Sequence, residues 1–73
     1  MINDKALARE ISSLMLETSA KIDESILTVQ KSCTPREFDA YRAGCAKVLG
    51  YILIEILNPL YQAHPDLKPK DLN

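Results

Sequence analysis

The chain has 73 residues, a formal net charge of −1, one His, two Cys and no Trp. That length holds a single domain, and an apolar fraction of 47% argues against disorder. The charge balance gives no general attraction to nucleic acid or anionic membrane, and one His with two Cys cannot complete a four-ligand zinc site.

Small domains bury only about 60% of their unfolded surface, so they often lean on disulfides, metals or partners. Cys33 and Cys45 read as free thiols of a reducing cytoplasm. Asp4, Arg9, Glu10 and Glu17 break up Met1–Ala20, which leaves no apolar signal-peptide core. The longest apolar stretch, Val48 to Leu57, carries Gly50 and Glu55 and falls short of the about 20 residues a bilayer span needs. The expectation is a cytoplasmic chain without a membrane segment, in which oligomerisation supplies the missing stability.

From Met1 to Thr34 there is neither Gly nor Pro. Leu7, Ile11, Leu14, Met15, Ile22, Ile26, Val29 and Cys33 recur at helical spacing, within an arc of about 120° at 100° per residue. Charged residues occupy the opposite side, and Glu17 and Lys21 stand at i,i+4. Asn3 is the expected N-cap, with Asp4 at the positive end of the dipole. These features predict one helix over about 4–32.

Thr34-Pro35-Arg36-Glu37 is a capping box with Pro at the first helical position. Pro35 also keeps Thr34 out of helical geometry, so the first helix must stop before it. So short a connection between long helices predicts an antiparallel hairpin.

The second helix is expected over about 35–57. Phe38, Tyr41, Cys45, Val48, Leu49, Ile52 and Ile56 form one stripe. Ala43, Ala46, Gly50, Leu53 and Leu57 form another beside it, and together they span an arc of about 220°. A hairpin buries one side of each helix, so a second side is left for a partner. Asn58-Pro59 is expected to end or restart the helix, Asn58 capping a short turn over about 59–63. His64-Pro65 stops that turn. The tail, 66–73, is expected to fray unless Leu67 and Leu72 pin it to the bundle.

The fold class is therefore all-α. It is an antiparallel two-helix hairpin with a short C-terminal helical turn, in a single domain over 1–73, dimerising into a four-helix bundle. The expected dimer interface is Ala46, Leu49, Gly50, Ile52, Leu53, Ile56 and Leu57. Tyr51, Ile54, Glu55 and His64 are the candidate surface for a further protein partner. Glu55 could pair with a basic residue of another chain and set register.

No catalytic, cofactor or metal constellation emerges. His64 has no nucleophile motif beside it, and Gly44 and Gly50 sit mid-helix, not in a phosphate loop. The leading functional reading is a small non-enzymatic protein acting through protein–protein interaction as regulator, adaptor or assembly subunit. The alternative is an RNA- or DNA-binding regulator using one dimer face, which the charge does not support. A remote third is an enzyme at the dimer junction using Arg36 or Arg42, Glu55 and His64.

Overall fold

The computed structural model describes residues 1–71. Helix α1 runs Lys5–Ser32 and helix α2 runs Pro35–Tyr51. A π-helical segment, Ile52–Leu57, continues directly into α3, Asn58–Ala63. A 3₁₀ turn, Pro65–Leu67, follows. All regular structure among the described residues is helical. Leu72 and the last residue of the expected tail lie outside the described residues.

Local chemistry explains each boundary. The N-cap of α1 is Asp4, one residue beyond the expected Asn3, and its carboxylate accepts from the Leu7 N–H at 3.0 Å. Asp4 adopts extended geometry, which aims the side chain at the first unpaired amides. Helix α1 ends at Ser32, and the Cys33 N–H still donates to the Val29 carbonyl at 2.9 Å. The capping box forms as expected: Thr34 N–H donates to Glu37 Oε1 at 2.9 Å, and Glu37 N–H donates to Thr34 Oγ1 at 3.2 Å. With only Cys33 and Thr34 between the helical spans, α2 folds back along α1.

The second helix departs from expectation at Asn58-Pro59. The chain neither stops nor restarts there. Leu57 and Asn58 both keep right-handed helical geometry, and no side chain caps α3. Proline has no N–H to donate, and its ring presses on the carbonyl four residues back, here that of Glu55. The π segment absorbs this by widening the ladder, so that the Asn58 N–H donates to Leu53, five residues back. Each π insertion adds one residue without advancing the helix face. Everything beyond it lags by about 100° relative to an unbroken α-helix.

That lag decides where the core sits. On an uninterrupted wheel Leu57 lies about 120° from Cys45, and the lag brings it to within about 20°. Leu57, Leu60 and Tyr61 accordingly face α1, and together with Ala8 they form the buried cluster. Ile2, Met15, Leu16, Ile52, Leu53 and Leu67 pack around it. Ala8 and Ser12 are small enough to admit the Tyr61 ring, whose hydroxyl lies 2.5 Å from Ser12 Oγ in a buried hydrogen bond. The two chain ends close over this region. His64 Nε2 lies 2.6 Å from the Ile2 carbonyl oxygen, and Lys5 forms an ion pair with Asp66. Leu67, one of the two leucines that could pin the tail, packs against this cluster.

The core is thus gathered at the end of the hairpin remote from its turn. Toward the turn, Cys45 is the one buried residue of α2. A third layer exists only where the chain ends fold over, and two helices alone cover little. The molecule measures 45 × 19 × 16 Å, with the long axis set by α1.

Candidate interaction surface

The polar candidates do not converge within the chain. Arg36 and Arg42 lie near the turn, and His64 lies at the opposite end. At 1.5 Å per residue, 22 helical residues separate Arg42 from His64 by about 33 Å. The His64 ring is already engaged by the Ile2 carbonyl. Arg42 lies 5.7 Å from the Phe38 ring centroid, and its Nη2 is 3.9 Å from Asp39 Oδ1. Glu55 is exposed and makes no ion pair among the described residues. Tyr51 and Ile54 are 65% and 61% exposed, as expected of outward-pointing residues.

The set expected to line a dimer interface is divided by the π rotation. Leu57 is buried in the hairpin's own core, and Ile52 and Leu53 pack against that core. Leu49, Gly50 and Ile56 are half-buried, and Ala46 is exposed. Leu57 therefore has almost no surface to offer a partner.

The residues assigned to the core stripes show the converse. Leu7, Leu14, Tyr41 and Val48 are each 40–50% exposed. The arc identified on α1 is real, but its buried centre lies further round, on Ala8 and Ser12. Small residues fill that line, so a scale weighted to large apolar side chains misses it. The i,i+4 spacing of Ala8 and Ser12 is the signal that could have located it.

These exposed residues share one side of the hairpin. Tyr41 fixes the relation between the helices: its hydroxyl lies 2.7 Å from Ser25 Oγ. Ser25 uses its own proton on the Ile22 carbonyl at 2.6 Å, so the Tyr41 hydroxyl is the donor across the seam. Ser25 lies on the same side of α1 as Leu7, Leu14 and Thr18, at seven-residue multiples and four-residue steps. Beside Tyr41, an open apolar groove of about 440 Å³ runs between the helices, lined by Ile22, Ala40, Tyr41, Gly44, Cys45 and Val48. A Cβ built on Gly44 would meet nothing. The floor is open to solvent, and this surface can accept apolar side chains without rearranging the hairpin.

Two carboxylates sit below their ordinary titration range, both away from this face. Hydrogen bonds from the Thr34 N–H and then from its hydroxyl lower Glu37. The hydrogen bond from Lys5 lowers Asp66. Both stabilise a helix cap or a chain end and are fully accounted for structurally.

Passage of the helix through Pro59 has one more consequence. Pro35–Ala63 forms a 29-residue helical run that is long and apolar enough to cross a membrane by length and composition. The sequence reading stopped that run at Asn58. Lys47 and Glu55 lie within it, and the core helix of a soluble protein passes the same test. Among the described residues no group of three or more His, Cys, Asp or Glu is placed to hold a metal ion. The chain matches no protein family, no curated protein and no solved structure.

Proposed function

We propose that this chain is a small non-enzymatic helical protein that pairs with a second copy as a four-helix bundle. It acts through protein–protein contacts as a regulator, adaptor or assembly subunit of the cytoplasm.

One observation carries the reading. The accessible surface is 5404 Å² for a mass of 8.2 kDa. A compact monomer of this mass exposes about 4,500 Å². The excess, about 900 Å², is close to the about 800 Å² that each partner contributes to a stable interface. Elongation tells the same story: the radius of gyration is 14.5 Å, against about 11 Å for a compact chain of this length. Among the described residues eight large apolar side chains are exposed, and several of them share one side of the hairpin. Pairing removes the excess and adds the packed layer that the turn-proximal half lacks.

Light scattering after size exclusion tests this. A mass of about twice the chain, held over a hundredfold dilution, is expected. A mass of one chain at every concentration would refute it.

A further inference from the structure

We infer that the self-contact surface is the groove side of the hairpin, formed by Leu7, Leu14, Tyr41, Gly44, Val48 and Tyr51, with a second copy of this chain as its occupant. The inference rests on the self-association proposed above and locates it on a different face from the Ala46–Gly50–Leu53 stripe.

Four observations place it there. First, exposure is concentrated on this side. Five of the eight large apolar residues exposed among the described residues belong to it, whereas Leu53 and Leu57 of the other stripe are already engaged by the hairpin's own core. Second, the area fits: the surface excess of the chain matches one partner's share of a standard interface. Third, the relief suits a self-complementary contact. Gly44 is a notch between the larger Tyr41 and Val48, and a Cβ there would meet nothing within the chain. A mid-helix glycine lowers helix stability, and no contact within the chain requires one at Gly44 or, on the other stripe, at Gly50. Close approach of a second α2 gives Gly44 a use on the more exposed of the two faces. Fourth, none of the six residues is charged, so no like charges oppose one another within the patch itself.

A two-fold axis through this face would set the two α2 helices antiparallel and crossing near Gly44 and Val48. Side chains beside the axis would meet their own counterparts. The groove would be filled by apolar side chains of the opposite copy. The wide face of one hairpin would thereby become the interior of a bundle.

Matched variants test the placement. Val48→Asp puts a charge on the groove side at a residue already 48% exposed, so the single hairpin loses little. Ala46→Asp does the same on the other stripe. Each is measured by light scattering and far-UV circular dichroism. The inference expects Val48→Asp to run as a helical monomer and Ala46→Asp to keep the dimer mass. Trapping gives a second readout in a Cys33→Ser background. Val48→Cys should form a disulfide-linked dimer on mild oxidation, at least tenfold faster than Ala46→Cys. Trapping decides the matter should Val48→Asp fail to fold. A dimer that survives Val48→Asp, is lost in Ala46→Asp and traps through position 46 would overturn the inference while leaving self-association standing. A wild-type monomer throughout would overturn both.

Discussion

Deleting one residue from the π segment should do little harm once Pro59 is replaced, because the segment is a one-residue insertion that the proline demands. Ile54 is the residue to remove: it is 61% exposed and lies in the middle of Ile52–Leu57. With Ile54 deleted, an ordinary α-helix brings Leu57, Leu60 and Tyr61 to the same face they now occupy. Only the ring of Pro59 then obstructs the straight helix. The deletion alone should cost about 3 kcal/mol, the penalty of proline in a helix interior. The deletion combined with Pro59→Ala should fall within about 1 kcal/mol of wild type. Inserting one alanine after Ile54 is the control, since it turns Leu57 and Leu60 a further 100° out of the seam. Exposing a buried Leu costs about 1.5–3 kcal/mol, so two cost about 3–6 kcal/mol. A chain of this length has only about 4–11 kcal/mol in total. Urea titration followed by circular dichroism, at one fixed protein concentration, gives the three values. If the deletion with Pro59→Ala is as damaging as the insertion, the rotation argument is wrong.

Further outcomes follow from the same structure. Tyr61→Phe strands the Ser12 hydroxyl in the core and should cost about 1–3 kcal/mol, part of which Ser12→Ala should restore in the double variant; fully additive losses in thermal melts would show that the two hydroxyls are not coupled. Glu37 and Asp66 titrate below their ordinary values of 4.5 and 3.8, so their contributions are complete above those values and disappear as pH falls through the lower folded ones. Stability should therefore drop only in acid, below about pH 4, and Glu37→Gln should flatten that decline in urea midpoints taken from pH 2 to 6. Finally, Lys47 and Glu55 should keep the 29-residue helical run out of a bilayer, each costing about 2.5–3.5 kcal/mol near the centre of a span. Flotation with phosphatidylcholine vesicles should leave the protein in the unfloated fraction, and recovery with the vesicles would overturn the cytoplasmic reading.

The parts of this fold legible in sequence are those fixed by local chemistry. Thr34-Pro35-Arg36-Glu37 specifies a cap through backbone geometry alone, and the hairpin follows from where that cap interrupts an otherwise unbroken helical pattern. The parts not legible depend on phase. A wheel drawn at 100° per residue is reliable only while the helix stays α. Beyond Ile52 it assigned Leu57 to an outer stripe, and so widened the apparent apolar arc of the second helix. On α1 the same wheel found the stripe but weighted Leu7 and Leu14 above Ala8 and Ser12, although the closest helix approach favours small side chains. Together the two errors drew attention away from the exposed side that carries Leu7, Leu14, Tyr41 and Val48. Pro59 held the correction all along. A proline after a boundary of polar residues is a stop, but Pro59 follows Ile52-Leu53-Ile54-Glu55-Ile56-Leu57 and precedes Leu60 and Tyr61. A helix abandoned there would strand that apolar run, so the lower-energy response is to keep the helix and widen one turn. Proline inside an apolar helical run is then better treated as a rotation of about 100° than as an end.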